Sequence, residues 1–280
     1  MTQSMTQPFA HVATPITVYV EGIGLLGPGL SGWASGRRQL DGSLPYQTAR
    51  CVLPVPIALP PAERRRAGAV VKVSLAVGQE AVAAAGLQAG NLLSVFTSSS
   101  GDAINCHEIC SALASSDRLI SPTRFHNSVH NAASGYWSIS SGAMAGSSVL
   151  CAHDGSFAAG LLEAMTQAVV DDSPVLLVAY DTDYPAPLHS KRPVPDSMGV
   201  ALVLNPRRSA RGLARIRLHG KEYLTTTAAD TMDDAALEGL RQAIPAARAL
   251  PLLHAIAKGQ ATPVVLSYLA EVQMVVEVAP

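Results

Sequence analysis

Short apolar runs alternate with longer alanine-rich segments along this chain, the pattern expected of strands crossed by helices in a layered α/β fold. Residues 18–20, 92–96, 148–150, 175–179 and 200–204 read as strands. Residues 67–86 and 157–170 read as helices whose small side chains permit close packing against a sheet. The stretch 41–61 is rich in proline and turn formers, which predicts a long irregular excursion. A helical pattern returns over 233–257, and 264–269 with 272–278 resembles a closing pair of strands. No internal repeat is visible.

Composition narrows the class without changing this picture. The chain has 280 residues, 48% of them hydrophobic and 15% charged, enough to bury a sizeable core. A formal net charge of −1 leaves no electrostatic footprint for nucleic acid. The basic clusters Arg64-Arg65-Arg66 and Arg207-Arg208 are too short to alter that. The first residues lack the basic start and apolar run of a signal peptide, and no window is a membrane-length apolar stretch. A cytoplasmic protein with no membrane insertion is expected, its residues 1–15 forming a flexible N-terminus. Cys51, Cys106, Cys110 and Cys151 are too few for a disulfide framework and are expected to be free thiols.

Several constellations carry candidate chemistry. Gly22, Gly24 and Gly27 match G-x-G-x-x-G after a strand, but Pro28 and Gly29 interrupt the helix that must follow, so a dinucleotide site is rejected. Cys106 and Cys110 stand one helical turn apart with His107 pointing elsewhere and no fourth ligand, so no metal is expected. Ser98-Ser99-Ser100-Gly101-Asp102 offers serine nucleophiles for a hydrolase, although no G-x-S-x-G elbow presents one above a sheet.

Four segments resemble the N-terminal half of β-ketoacyl synthases, in the right order. They are residues 16–27 (ITVYVEGIGLLG), 81–86 (AVAAAG), 151–156 (CAHDGS) and 199–204 (GVALVL). In this resemblance Val20 to Gly24 is the first strand and glycine turn, and Arg211, Gly212, Ala214, Ile216 and Gly220 mark the end of the half. The resemblance implies a thiolase-like α/β fold with layered helices and a mixed five-stranded sheet. It covers 16–220 as a ketosynthase-like half, followed by a helix and strand extension at 221–280.

The same resemblance shows what is missing. Catalytic members need a cysteine nucleophile and two histidines from a C-terminal half that this chain does not contain. His254 lies in a predicted helix without the glycine-rich context of those histidines. Laying Ala179-Tyr180 on the family's glycine pair and counting back without gaps places Asp154 at the nucleophile position, with Cys151 three residues early. A gap would instead restore Cys151, and the plain alternative makes it a buried strand-end residue. Aspartate is not a readily acylated soft nucleophile, whereas a thiolate is.

The implied protein is a noncatalytic, chain-length-factor-like relative, as found beside aryl polyene and other polyketide- or fatty-acid-type pathways. It would need no cofactor, pair with a full-length β-ketoacyl-ACP synthase as a heterodimer, and meet acyl carrier protein only indirectly. The segment 125–137 is the most specific string for that subgroup, and reads either as partner docking and tunnel wall or as a polar turn and helix start. Asn127, His130, Asn131, Ser147, Ser148, Val149 and Leu150 are the expected partner interface. Ile104, Ile109 and Leu113, on a helix over 103–114, are the tunnel candidates, with core packing as the plain alternative. The alternative function is an active acyltransferase or hydrolase using Cys151 or a serine.

Overall fold

The structure, a computed structural model, describes residues 15–219 and 223–280. Residues 1–14 of the expected flexible N-terminus (1–15), Gly220 and the boundary at 220/221 lie outside the described residues.

The first strand, β1 (Ile16–Gly27), is far longer than the apolar triplet that announced it. Val18, Val20, Ile23 and Leu25 are completely buried along it. The sequence pattern put a glycine turn at 22–24, and the structure corrects this: the strand runs on through both glycines. The reason is the helix α3 (Ala69–Ala85) that crosses behind. A Cβ on Gly22 would lie 2.0 Å from the Ala81 carbonyl oxygen, and one on Gly24 would lie 1.9 Å from that of Val77. Glycine is needed here for backbone contact between strand and helix, not for a turn.

Strands β3 (Leu93–Thr97), β4 (Ser147–Leu150) and β5 (Val175–Asp181) are mutually parallel, with β3 in the centre. The β3–β4 crossover carries α4 (Ala103–Ala114), α5 (Pro122–Asn127) and α6 (Ala132–Ser141), and the β4–β5 crossover carries α7 (Ser156–Val170). Antiparallel to β5 comes β6 (Met198–Asn205), and β1 pairs with it across a bulge between Val20 and Gly22.

The run β4-β3-β5-β6-β1 thus accounts for five strands, but among the described residues the sheet has ten, a correction to the expected count. It continues from β1 to β7 (Ala214–Leu218), then to β10 (Gln273–Ala279) and β8 (Leu224–Thr225). Side branches are β2 (Leu30–Ser31) on β1 and β9 (Thr262–Leu266) on β10. The physical cause is that β7 buries Ala214, Ile216 and Leu218 and offers its free edge to Glu277, Val278 and Ala279. The closing strand pair therefore extends the sheet.

Helices cover both faces. On one, α3 lays Val73, Val77 and Ala81 on the sheet, and Trp137 of α6 packs against Gly78. On the other lie α7, a 3-10 segment Pro245–Ala249 and α9 (Leu250–Lys258), burying Leu161, Ala247, Leu250 and Leu253. The single helix expected over 233–257 is in fact α8 (Ala235–Ala243), that 3-10 segment and α9, because Pro245 and Pro251 each lack an amide donor and open new segments. Two short helices, α1 (Trp33–Leu40) and α2 (Pro61–Arg66), flank the irregular excursion. Among the described residues no helix is long and apolar enough to cross a membrane.

Candidate functional site

The chain turns sharply between β4 and α7. Cys151 follows the strand, a 3-10 turn spans His153–Gly155, and α7 begins at Ser156. His153 takes a left-handed φ of 50°, uncommon for a residue with a Cβ. The turn is pinned by Ser156, whose hydroxyl donates to the His153 carbonyl (2.7 Å) and accepts from the Ala152 amide (3.1 Å). Gly155 admits no side chain, since its Cβ would lie 1.7 Å from the Tyr268 carbonyl oxygen.

Asp154 sits at the head of α7, where partial positive charge at the helix N-terminus favours an anion. Each carboxylate oxygen meets a different guanidinium. Arg192 Nη2 donates to Oδ1 at 2.7 Å, and Arg248 Nη2 donates to Oδ2 at 3.0 Å. Arg192 also contacts the His153 ring through Nε2. Cys151 is exposed, and its thiol donates to the Ser99 carbonyl at 3.1 Å.

Behind the elbow stands a residue that the sequence reading missed. Asp181, the last residue of β5, is wholly buried and accepts four hydrogen bonds. Three reach Oδ1, from the Ser99 amide (2.9 Å), the Ser99 hydroxyl (2.6 Å) and the Ser98 hydroxyl (3.3 Å); the Ala246 amide reaches Oδ2 at 2.9 Å. Burial pushes its pKa up to about 6 although all four donors favour the ionised form. An acid ending a wholly apolar strand was the available signal, since such a strand's C-terminal end is where α/β sheets carry polar sites. The serines thus hydrogen-bond to an acid directly. Among the described residues no histidine hydrogen-bonds to Cys151, Ser98 or Ser99. His254 sits on α9 with Nδ1 2.7 Å from the Leu40 carbonyl oxygen.

The residues expected at a partner interface fall into two groups. Asn127 is buried and tied internally: its amide nitrogen donates to the Arg66 carbonyl (3.0 Å), and its oxygen accepts from Tyr136 (3.2 Å). Its neighbours His130 and Asn131 are exposed in the turn between α5 and α6, a helix–turn–helix passage. Ser147 is exposed and Ser148, Val149 and Leu150 are half-buried on β4, which among the described residues pairs only with β3 and forms one end of the sheet. The carbonyls of Gly146 and Leu150 accept from Ser94 and Ser98. By the period of two, the backbone groups of Ser147 and Val149 therefore face the open edge.

The crossover that leads to this edge is thinly packed. Only Ala103 and Asn105 of α4 are buried; Ile104 and Ile109 are half-buried and Leu113 is exposed. Leu119, Phe125, Val129, Ile139 and Met144 are also exposed, Met144 to 94%. Cys106 and Cys110 are exposed on the same helix.

A family model for the "Beta-ketoacyl synthase, N-terminal domain" matches residues 33–265, most of the chain. The chain belongs to the β-ketoacyl synthase N-terminal-domain family. Its fold is thiolase-like, as expected from the sequence. Structural similarity agrees across nearly the whole molecule. A chain of "Ketosynthase (ApeO) in Complex with its Chain Length Factor (ApeC) from Xenorhabdus doucetiae" superposes with a TM-score of 0.68 at 22% identity, covering 93% of this chain and 99% of that one. A chain of "The ishigamide ketosynthase/chain length factor" gives a TM-score of 0.68 at 12% identity, with 94% and 99% covered. A type II PKS acyl-carrier protein in complex with its ketosynthase, AntDE:AntF, gives 0.69 at 13% identity with the same coverage. At these identities the likeness defines the fold alone. No curated protein matches the sequence.

Proposed function

We propose that this chain is a noncatalytic, chain-length-factor-like subunit. It pairs in the cytoplasm with a full-length β-ketoacyl-ACP synthase of a polyketide, aryl polyene or fatty-acid-type pathway and shapes that enzyme's acyl tunnel. The observation that carries this reading is the open edge of β4, continuous in sequence with the weakly packed crossover 103–146 and its exposed apolar side chains. An unpaired edge beside exposed apolar groups is a liability for a solitary protein and the usual make-up of an interface.

Chemistry at the elbow supports the noncatalytic part. Asp154 is held between two guanidiniums, and a carboxylate so engaged is no acyl acceptor. Cys151 lies at the strand end with its thiol on a backbone carbonyl and without a histidine base. The partner is expected to supply the thiolate and the histidines, while this chain acts sterically, with Ile104, Ile109 and Leu113 as wall residues. Acyl carrier protein would engage the complex mainly through the partner.

Co-expression with a full-length β-ketoacyl-ACP synthase tests this. The two chains should co-elute on size exclusion as a stoichiometric complex, with only the partner acylated by an acyl-thioester donor. Cys151→Ala should leave the activity of the complex nearly unchanged. A monodisperse monomer that ignores the ketosynthase, or unaided product release from a chain acylated at Cys151, would end the proposal.

A further inference from the structure

Beside the elbow lies an open cleft of about 780 Å³ whose wall includes His153, Asp154, Thr231, Arg241, Arg248 and Ser267. Its charges do not cancel. Arg192 and Arg248 share Asp154, and Arg241 forms a two-point pair with Glu238 through Nε (2.7 Å) and Nη2 (2.6 Å). Of these charged residues, Arg241, Arg248 and Asp154 line the cleft itself, two guanidiniums to one carboxylate, while Arg192 and Glu238 engage them from outside its lining. The head of α7 lies beside the cleft, with Asp154 set against its partial positive charge. Burial does most to lower the pKa of Arg248; Asp154 opposes it, and repulsion from Arg241 and Arg192 adds to the lowering.

Donor capacity is also left over. Among the described residues the buried Nε atoms of Arg192 and Arg248 find no hydrogen-bond partner, and a buried donor without an acceptor is costly unless something supplies one. Each guanidinium presents one terminal nitrogen to Asp154 and not its fork, the arrangement that best grips an oxyanion.

We propose that this cleft is a binding site for a small oxyanion, a phosphate or carboxylate group of a diffusible ligand. It is gripped by Arg248 and Arg241, and Asp154 acts as an internal competitor that sets the site's affinity. The inference stands on this chain alone and does not depend on the pairing proposed above.

Inorganic phosphate and acetate are the probes, titrated separately into the full chain at constant ionic strength by calorimetry, with phosphorus NMR line width as a second readout. Wild type should show saturable binding with Kd on the order of 1 mM. Asp154→Asn, which keeps the shape and removes the competing charge, should tighten it about tenfold. Arg248→Gln should weaken binding strongly, whereas Arg207→Gln, which alters a surface pair with Asp172, should not. Saturation by phosphate alone or by acetate alone would support the site and identify its anion. Absence of saturable binding in both wild type and the folded Asp154→Asn variant would overturn the proposal. So would an Asp154→Asn affinity no tighter than wild type, or an equal loss in Arg207→Gln.

Discussion

Asp181 is the residue on which three segments converge, and its protonation is linked to stability. Its folded pKa of about 6 lies above the ordinary aspartate value of 3.8, so the folded state holds the proton more tightly than the unfolded one. The stability contributed by this group is fully present below pH 3.8 and is lost as pH rises through about 6. Wild type should therefore lose melting temperature from this group between pH 3.8 and about 6, and Asp181→Asn should show a flatter profile over that window. Asparagine has the right shape, but its amide would set a donor against the Ala246 amide or the serine donors. The variant should be less stable by roughly 1–3 kcal/mol, read by urea titration at pH 7. At the elbow Asp154 does the reverse of what a nucleophile requires: its two carboxyl oxygens are shared between Arg192 and Arg248 and anchored by both.

At the scale of elements, β4 and α4 carry the consequences of the proposed pairing. Val149 faces the open edge, so Val149→Pro removes an outward donor while sparing the ladder to β3. The variant should fold with nearly the wild-type urea midpoint and fail to bind the ketosynthase in a pull-down. Full association of the proline variant would remove β4 from the interface. On α4, Ile104 and Ile109 are half-buried, open enough to meet a partner and covered enough to pack. If this helix lines the acyl channel, Ile104→Trp should shorten the product and Ile109→Ala should permit a longer one, read by mass spectrometry of the complex's products. Because either change can alter packing by about 1–3 kcal/mol, the melting of each complex is measured alongside. Unchanged product lengths in stable complexes would take α4 out of the gate.

Across the whole molecule, the last sixty residues belong to the same core as the first two hundred. Ile244, Leu250, Leu253, Met274 and Val276 are buried in one cluster with Val18, Ile23, Leu161 and Leu202, and Ala246 supplies a donor to Asp181. A chain ending at residue 219 loses that cover on β7 and on the α7 face. It should be insoluble or should lack fixed aromatic near-UV ellipticity, while the full chain shows a cooperative transition. A soluble, cooperatively folding truncation would show that the extension is an independent unit.

Much of the architecture was legible in sequence because burial leaves a period. The parallel strands, α3 and α7 declared themselves through apolar runs and alanine-rich stretches, the irregular excursion through its prolines, and α4 through the family resemblance. Family membership was legible as well, since the order of the glycine-bearing segments survives in one dimension. The length of β1 was not: glycine marks both a turn and a close approach, and only the packing of α3 against Gly22 and Gly24 tells them apart. Nor was the ten-strand sheet, because strand pairing is non-local and the free edge of β7 exists only after folding. The elbow divides the same way. Sequence spacing singled out Asp154 and Cys151, but the partners that decide their chemistry, Arg192, Arg248 and the Ser99 carbonyl, lie 38, 94 and 52 residues away along the chain. Ionisation and hydrogen bonding act through space over a few ångströms, so the charge state and reach of a side chain were settled by the tertiary structure alone.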